Sequence, residues 1–524
     1  MIPSDWHRWS VKTMRFHFHQ LHQRPRLNLS NLTGLRALSR ALCFAAVLLL
    51  TIPCGAEAVT RGAFLAALLD ARGLSSNVPA GKDAVAFVQG TGIVTDGIGG
   101  PNAHVTRREA LRWSIQSLGL AFEAGALSDV SAGFSDEKAL TPFERGCLAV
   151  AVNMTPALLS RDRSFRGAQR LTEKEMRFLL DRVSQASEGL SLEVTLTPVE
   201  GLTLLLHRDG VPTGVPRWRV YADGFQDKAA AESAQAFFKS KGFEMSMLQP
   251  QYEWFLRSPV LEDYRVARRL VSLIRQRKLA VRLLPSVSNS NTELLPRYWA
   301  MLTIDPGFWR MIPAASSEGP AALTPLSRIV KDNTLSAAIN AGFFAVTGRR
   351  QGYPIGLLRW EGAEVHKLYN GRGCLGWNDD NEAAFGLPSL VSGELVGTGG
   401  ESWSDMPFAI QAGPLLLSDG VVQGNDEGFS NSLLSGRHPR SVVGLTADGE
   451  WFFLAVDGRN GLHAAGATMS ELTDILRSYE VPYALNLDGG GSTELIVRGR
   501  LFTSPSEGKE RPISYALGVV PALR

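Results

Sequence analysis

Cysteine is scarce in this chain of 524 residues, which has 4 cysteines and no C-x-x-C pair. This count excludes the dense disulfide framework of a small secreted scaffold and gives no support to a cysteine metal or redox site. An excess of one charge is also missing, since the formal net charge is +3, and no nucleic-acid partner is expected. A hydrophobic content of 44% excludes a largely disordered chain, and the length predicts several domains.

The N-terminus lacks an apolar run long enough to cross a bilayer. Residues 41–53 are apolar, but a span needs about 20 such residues. Arg36 and Arg40 precede this run and an A-x-A pattern ending at Ala58 follows it, which is the order of a secretory signal. We therefore expect residues 1–58 to be a signal peptide with a long leading region. The mature chain is expected to be exported, to the periplasm, cell envelope or medium, without a transmembrane span.

Alternatives to simple cleavage of this leader stay open. Met14 offers a later start, which would shorten the unusually long leading region. Cys54 invites a lipid anchor, although the residues before it are a poor context for lipidation. The apolar run would also fit a buried helix of a cytosolic domain.

The pattern of residues 59–187 predicts helices joined by short loops. Thr60 is a predicted N-cap, Thr106 forms a capping box with Glu109, and a weaker copy of the pattern begins at Thr172. The spacing of these starts suggests an array whose units bury one another's faces. The segment resembles S-layer homology repeats, which implies binding to a cell-wall polymer, and a helical spacer is the alternative.

Residues 190–285 predict a small α+β domain. Apolar residues alternate at 192–196, and after a further strand the Ala-rich helix 228–241 ends at Gly242. A second helix and strand follow, before a candidate linker at 286–293. The order of strand, Ala-rich helix and glycine resembles sporulation-related (SPOR) repeats, which implies peptidoglycan as a partner. A structural adaptor is the alternative.

Two carboxylates stand out in the C-terminal part, residues 298–524, where short strands alternate with glycine turns. Asp457 and Asp488 each follow an apolar strand and precede glycine, with a predicted helix between them at 469–479. A strand–helix–strand unit would bring both acids to the same edge of a sheet, where α/β proteins commonly form their sites. The three glycines after Asp488 would leave backbone N–H groups free to bind an anion.

One arginine is the expected partner of these acids. Arg440 directly precedes the apolar strand 442–445, which favours an inward role over a surface charge. His438 lies before a proline and is interpreted as a loop residue rather than a catalyst.

Five motifs of the C-terminal part resemble the phosphodiester glycosidase family, and they occur in the family's order. The most specific is N-L-D-G-G-G-S. The matching segments are N-A-G-F-F at 340–344, where Ala341 replaces a glycine, Q-A-G-P-L-L at 411–416, P-R-S-V-V-G at 439–444, D-G-R at 457–459 and N-L-D-G-G-G-S at 486–492.

The resemblance implies hydrolysis of a sugar-1-phosphodiester at its anomeric carbon, of the N-acetylglucosaminidase type, here in a cell-envelope glycopolymer. Asp488 first and Asp457 second are the candidates to stabilise the oxocarbenium-like carbon or to activate water. Arg440 is expected to bind the phosphate, because a guanidinium contacts two oxygens at once. The other expected substrate-binding residues are Asn340, for sugar hydroxyls, and Gln411, Gly413, Ser441, Arg459, Gly489, Gly490, Gly491 and Ser492.

The expected fold is multidomain, with a helical N-terminal repeat region, a small α+β middle domain and an α+β C-terminal catalytic domain built on a mixed sheet. No cofactor and no metal-ligand motif is predicted, and a divalent cation is left open. Two other functions remain: a non-catalytic protein that binds cell-envelope polysaccharide or peptidoglycan, and a phosphodiesterase that cuts the P–O bond. The sequence leaves open whether the sugar's configuration is retained or inverted.

Overall fold

A computed structural model describes residues 58–161, 163–249, 254–287 and 294–522. These residues belong to one compact unit. The predicted signal peptide, apart from its last residue, and most of the predicted linker lie outside them. Of the helices described, none has the length and apolar character needed to cross a membrane.

Eleven α-helices occur in the described residues. Six lie in the N-terminal region, two in the middle region and three in the C-terminal part. They are α1 Arg61–Ala71, α2 Ala84–Thr91, α3 Arg107–Ser117, α4 Ala121–Ala126, α5 Pro142–Asn153, α6 Glu173–Glu188, α7 Lys228–Ser240, α8 Tyr264–Gln276, α9 Leu326–Asp332, α10 Asn431–Ser435 and α11 Met469–Ser478.

Strands outnumber helices, so the fold is α+β and mostly sheet. The strands of the described residues are β1 Met154–Thr155, β2 Ser191–Val199, β3 Leu202–Asp209, β4 Pro216–Phe225, β5 Ser246–Leu248, β6 Trp254–Arg257, β7 Ala280–Val287, β8 Arg297–Ile304, β9 Trp309–Ala314, β10 Ala337–Asn340, β11 Leu358–Trp360, β12 Ala363–His366, β13 Cys374–Trp377, β14 Ala383–Gly386, β15 Ser389–Val391, β16 Glu394–Val396, β17 Phe408–Gln411, β18 Leu415–Ser418, β19 Val421–Val422, β20 Arg440–Leu445, β21 Trp451–Val456, β22 Tyr483–Asn486, β23 Leu495–Val497, β24 Arg500–Leu501 and β25 Ala516–Pro521.

Threonine begins four of the six N-terminal helices. Thr60 caps α1, while Thr106 and Thr172 begin α3 and α6 with capping boxes completed by the glutamate three residues later. These predicted helix starts are confirmed. A fourth start was not predicted: Thr141 begins α5, also with a capping box and with proline at the first helical position, where proline is favoured.

The largest sheet draws strands from both ends of the chain, in the order β1-β2-β3-β8-β21-β20-β22-β18-β19. Strand β3 pairs with β8 from Leu202 opposite Ile304 to Asp209 opposite Arg297. The sequence pattern assigned residues 191–209 to the small middle domain, whereas they extend the C-terminal sheet. Alternation of apolar and polar residues predicts a strand, but it does not predict which strand pairs with it, and the sheet of residues 191–209 was therefore assigned wrongly.

The expected mixed sheet is wrong for the described residues, in which every strand pairing is antiparallel. Strands β21 and β22 run in the same direction, as the helix α11 between them requires, but β20 lies between them and pairs antiparallel with both. The last residues of β21 and β22 and the first residue of β20 therefore lie at the same edge of the sheet. This edge carries the candidate site.

A continuous hydrophobic core joins the N-terminal helices to the C-terminal sheets. Buried side chains from both regions belong to the same cluster, including Phe64, Trp113, Leu148, Leu204, Phe453 and Leu517. Burying a large apolar side chain contributes about 1.5–3 kcal/mol. The N-terminal helices are therefore packed into the fold instead of forming a free-standing array.

The middle region forms its own four-stranded sheet in the order β5-β6-β4-β7, covered by α7 and α8. Helix α8 buries Ala267, Leu270, Val271 and Ile274 against it. Strand β7 is an edge strand of this sheet. Its residues lie against two loops of the C-terminal part, so the middle region reaches the neighbourhood of the candidate site.

Candidate active site

The candidate site lies at the sheet edge where three strand ends meet. Val456, the last residue of β21, pairs with Arg440, the first of β20, and Asn486 at the end of β22 pairs with Val442. Asp457 and Asp488 follow these strand ends. The predicted placement of both acids at one edge is therefore what the structure shows.

Asp488 begins the glycine turn and is fixed through its backbone. Its N–H donates to the carbonyl of Ala341 (2.9 Å) and its carbonyl accepts from Asn340 Nδ2 (2.6 Å). Its Oδ1 accepts a hydrogen bond from the Gly489 N–H at 2.9 Å. Burial raises the pKa of Asp488 to about 6, although the Ser492 hydroxyl and the Arg511 charge act in the opposite direction. A carboxylate near this pKa can take up and release a proton near neutral pH.

Two predicted substrate-binding residues hold the turn from behind. Asn340 and Ser441 are buried, and Asn340 Oδ1 accepts from Ser441 Oγ (2.7 Å) and from the Glu494 N–H (3.3 Å). With its amide also bonded to Asp488, Asn340 has protein partners on both of its polar atoms. These contacts make Asn340 and Ser441 positioning residues, and contact of either with a sugar stays a prediction.

Two guanidinium groups lie over the glycines of the turn. A Cβ on Gly490 would be 3.0 Å from Arg459 Nη2, and a Cβ on Gly491 would collide with the guanidinium of Arg511. Gly490 also has φ +65°, where other residues are strained. The glycines are therefore needed for close approach of the two arginines. Both positive charges lower the pKa of Asp488, so both face it electrostatically.

Arg511 was missed by the sequence analysis. It lies in the loop before β25, where no motif marked it, and it forms an ion pair with Glu507. Its backbone N–H donates to Glu494 Oε1 at 3.2 Å. The neighbouring Arg459 adopts a left-handed backbone, φ +60°, which is uncommon outside glycine and often found at functional sites.

Arg440 is held by backbone carbonyls through two of its three guanidinium nitrogens. Its Nε donates to the Ala467 carbonyl (2.9 Å), and its Nη2 donates to the carbonyls of Leu433 (2.7 Å) and Gly436 (2.8 Å). Burial and the Arg459 charge lower the pKa of Arg440 to about 10. Its inward orientation is as expected, but it ties α10 to the loop before α11. Phosphate contact by Arg440 stays a prediction that these bonds do not favour.

Asp457 is buried and belongs to a network of hydrogen bonds and ion pairs. Its Oδ2 is 2.8 Å from His463 Nε2 and accepts from the Ser504 N–H (2.7 Å). His463 Nδ1 lies 3.1 Å from Glu123 Oε1, and Glu123 pairs with Arg208 Nε at 2.9 Å. Burial lowers the pKa of His463, but the two carboxylates outweigh it and raise this pKa to about 9.

Gln411 and Gly413 support loops beside the site. Gln411 Oε1 accepts from the N–H groups of Leu357 (3.1 Å) and Tyr369 (2.7 Å), and its Nε2 donates to the Tyr369 carbonyl (2.6 Å). Gly413 exchanges hydrogen bonds with Asn486 and has Glu427 where a side chain would be. Their direct contact with substrate stays a prediction.

Glu494 is a second residue near the turn, after Arg511, that the sequence analysis missed. It is 0% exposed, its Oε2 has no protein partner among the described residues, and burial together with the Glu510 charge raises its pKa to about 9. It is therefore protonated at neutral pH. The pattern gave no signal, because T-E after D-G-G-G-S looks like the start of an ordinary strand. Within the part of the chain that the structure describes, no group of three or more His, Cys, Asp or Glu side chains is arranged so that it could hold a metal ion.

Comparison with known proteins assigns a family to this part of the chain. Residues 333–520 match the family model of phosphodiester glycosidases. The resemblance found in the motifs is confirmed for this segment, and the chain carries a phosphodiester glycosidase domain there. The resemblances to S-layer homology and SPOR repeats stay predictions.

Two curated relatives match part of the chain. The SPbeta prophage-derived uncharacterized protein YomE of Bacillus subtilis (strain 168) is 35% identical over 213 residues, which are 40% of this chain and 31% of the relative. The N-acetylglucosamine-1-phosphodiester alpha-N-acetylglucosaminidase of Mus musculus is 27% identical over 108 residues, 20% of this chain and 20% of the relative. The chain thus spans less than a third of the length of either relative.

Two solved structures match parts of the chain. The zebrafish catalytic domain of N-acetylglucosamine-1-phosphodiester alpha-N-acetylglucosaminidase, auto-inhibited by its pro-peptide, is 20% identical and covers 44% of this chain and 80% of its own, with a TM-score of 0.35. A hypothetical protein from Synechocystis is 17% identical and covers 63% of this chain and 77% of its own, with a TM-score of 0.37.

Proposed function

We propose that this protein hydrolyses the glycosidic bond of a sugar-1-phosphodiester at the turn that begins with Asp488. The observation that carries the proposal is the convergence of Arg459, Arg511 and the Asp488 carboxylate on Gly490 and Gly491. Paired cations beside one acid suit a substrate with a phosphodiester charge next to an electron-poor carbon. The family of residues 333–520 supports the same reaction class.

The two guanidinium groups are assigned to the phosphate. Charge builds on the leaving phosphate as the bond to the anomeric carbon breaks, and fixed cations stabilise it. A phosphomonoester leaves readily because its second pKa is about 6, so general-acid help matters less than in an ordinary glycosidase. Arg459 and Arg511 take the role first expected of Arg440, because the Arg440 guanidinium is bonded to backbone carbonyls.

Asp488 is assigned to the anomeric carbon. As a carboxylate it would stabilise the oxocarbenium-like carbon or remove a proton from the attacking water. Asp457 is assigned a positioning role, since its carboxylate holds His463 and Ser504. N-acetylglucosamine is the first sugar to test, because one relative is named for hydrolysing N-acetylglucosamine-1-phosphodiesters. An exported enzyme acting on a cell-envelope glycopolymer remains the prediction for its biological setting.

The test uses the full chain and the methyl ester of N-acetylglucosamine-1-phosphate in heavy-oxygen water. Attack at carbon puts the label in the released sugar, whereas attack at phosphorus puts it in the phosphate and would favour the alternative phosphodiesterase. Asp488→Asn should abolish sugar release while the folded state is kept, as measured by circular dichroism. Unchanged turnover in this variant would remove Asp488 from the reaction.

A further inference from the structure

A buried carboxyl group beside the glycine turn has no partner for one of its oxygens. Glu494 lies between the turn and strand β23 and is 0% exposed, and its Oε2 has no protein partner among the described residues. The same holds for two other buried oxygens near the turn, Thr493 Oγ1 and Asn486 Oδ1. Buried polar atoms nearly always have hydrogen-bond partners, because leaving one unpaired destabilises the fold. Three such oxygens at one turn therefore point to a role in the candidate site rather than in folding.

Glu494 connects the acid of the candidate site with one of its cations. Its N–H donates to Asn340 Oδ1 (3.3 Å), and Asn340 Nδ2 donates to the Asp488 carbonyl (2.6 Å). Its Oε1 accepts a hydrogen bond from the Arg511 N–H at 3.2 Å. The guanidinium of Arg511 lies so close to Gly491 that a Cβ there would collide with it. One residue therefore supports both sides of the turn, the acid through its backbone and the cation through its side chain.

The charged groups that shift the pKa of Glu494 lie in the loop before β25. Burial has the largest effect and raises this pKa, Glu510 and Glu507 raise it further, and Arg511 lowers it, so that the pKa is about 9. Strand β10 contributes the uncharged Asn340. Glu507 already forms an ion pair with Arg511. A further negative charge at Glu494 would weaken the positive potential that a phosphodiester anion needs at this turn.

We infer that Glu494 is a positioning residue for the proposed reaction, and that its contacts fix the Arg511 cation relative to the Asp488 acid. The inference rests on the proposed function. Glu494 performs this role in its protonated form, because a neutral carboxyl group accepts the Arg511 N–H without adding charge. An ionised Glu494 would attract the guanidinium of Arg511 and compete with the phosphate for it. A glutamine in its place would keep the acceptor oxygen and stay neutral at every pH.

The first test compares Glu494→Gln with the wild type between pH 7 and pH 10, using the full chain and the methyl ester of N-acetylglucosamine-1-phosphate. At pH 7 the two values of kcat/KM should agree within about twofold, because both residues are neutral acceptors. At pH 10 the variant should be about tenfold more active, because about nine-tenths of a group with a pKa near 9 is then ionised. His463 and Arg440 titrate in the same range in both proteins, so their effects cancel in the ratio of the two rates.

The matched control is Glu510→Gln, the same substitution at an acid of the same neighbourhood. It removes a negative charge that raises the pKa of Glu494, so Glu494 should ionise at lower pH. The ratio of this variant to the wild type should be about one at pH 7 and fall below one between pH 8 and pH 10. The two variants therefore change the ratio in opposite directions.

Glu494→Leu tests the contact with the Arg511 backbone. It keeps a side chain of similar size but removes the acceptor, so kcat at pH 7 should fall about tenfold or more as the guanidinium loses its position. Circular dichroism and thermal unfolding show whether this variant is folded, and Glu494→Gln decides the question if it is not.

The outcomes separate the inference from the proposed function. A ratio of Glu494→Gln to wild type that stays constant from pH 7 to pH 10 would overturn the inference alone. The same follows if Glu494→Gln and Glu510→Gln raise the ratio equally, or if folded Glu494→Leu keeps the wild-type kcat. If the wild type does not hydrolyse the methyl ester at any pH, the proposed function fails and the inference fails with it.

Discussion

Asp488 combines a half-buried carboxylate with two nearby guanidinium groups, and desolvation raises its pKa more than the two positive charges lower it. Its pKa is raised to about 6. If the reaction needs the ionised form, kcat/KM for the methyl ester should be flat above pH 7 and fall about tenfold per unit below pH 6, as one proton is taken up. A pH–rate profile of the wild type between pH 4.5 and 8.5 measures this. A rate that rises towards acid pH would mean that Asp488 acts as an acid in the limiting step.

Arg511 should matter as much as Arg459, although only Arg459 lies in a motif. Arg511→Ala should lower kcat/KM by about 10- to 100-fold, because a charge-assisted hydrogen bond contributes about 1.5–3 kcal/mol. Arg511→Lys should recover only part of this, since an ammonium lacks the planar fork. Steady-state kinetics measures both, with Arg477→Ala on the exposed face of α11 as the control for loss of a positive charge. Full activity in Arg511→Ala would leave Arg459 alone at the phosphate.

In the candidate site, Asp488 and Arg459 could be named from sequence motifs, but Arg511 could not. Asp488 is marked by its position between a strand and three glycines, a local pattern with a local physical reason. Arg511 reaches Gly491 only because the loop before β25 folds back over the turn. Arg440 was predicted to point inward and does, yet its hydrogen bonds to three carbonyls decide its role, and sequence does not show them.

At the scale of elements, helix α4 supplies a charge to the loop after β21. His463 lies between the carboxylates of Asp457 and of Glu123 on α4. Arg208 on β3 forms an ion pair with Glu123. The pKa of Glu123 stays low despite burial, because His463 and Arg208 are charged. The same loop carries Arg459, so a helix from the N-terminal region helps to place a residue of the candidate site.

His463 should make stability depend on pH in a defined direction. Its pKa is raised to about 9 in the folded chain, above the value near 6.5 of the unfolded chain. The contribution of His463 to the free energy of unfolding is therefore fully present below pH 6.5 and is lost as the pH rises through 9. His463→Gln should therefore cost about 3–5 kcal/mol at pH 6, and the difference from wild type should shrink by pH 9.5. Urea unfolding at several pH values measures it.

The control for this series is His104→Gln. His104 has one hydrogen bond, to the Ala58 carbonyl at 3.0 Å, and its loss should cost only about 1 kcal/mol. A difference between wild type and His463→Gln that stays constant from pH 6 to 9.5 would contradict a protonated His463 between two carboxylates.

Elements with local signals were predicted well, and their partners were not. The capping boxes of α3 and α6 and the strands that precede Asp457 and Asp488 follow from short patterns. The pairing of β3 with β8 joins residues 88 to 102 positions apart, from Asp209 with Arg297 to Leu202 with Ile304. The alternation of apolar and polar residues is the same whichever strand lies alongside. For this reason, the domain boundary predicted at residue 190 does not separate two hydrophobic cores.

At the scale of the whole molecule, the regions distinguished by sequence are bound together by buried polar contacts as well as by the common core. Arg72, the C-cap residue of α1, is 6% exposed and donates to the carbonyls of Ser117 (2.9 Å) and Pro212 (2.7 Å). Arg208 is 0% exposed and pairs with Glu123. Removing one partner of such a buried pair costs about 3–5 kcal/mol, because the other charge is left unpaired. The C-terminal part therefore depends on residues far upstream of its motifs.

This dependence predicts the outcome of truncation. Residues 290–524 contain every motif of the site, but they lack β2 and β3. Strand β8 would then pair only with β21 and become a largely buried strand at an exposed sheet edge, open to aggregation. They also lack Glu123, so His463 would lose one of its two carboxylates. Residues 58–524 should unfold in one cooperative transition, whereas 290–524 should be insoluble or unfolded at 25 °C, and 190–524, which restores the hairpin, should be soluble but less stable. Thermal unfolding and gel filtration of the three fragments measure this order. If 290–524 gave a monomer with the unfolding midpoint and turnover of 58–524, the upstream regions would be dispensable for the fold, and neither α4 nor β3 would be needed to support the site.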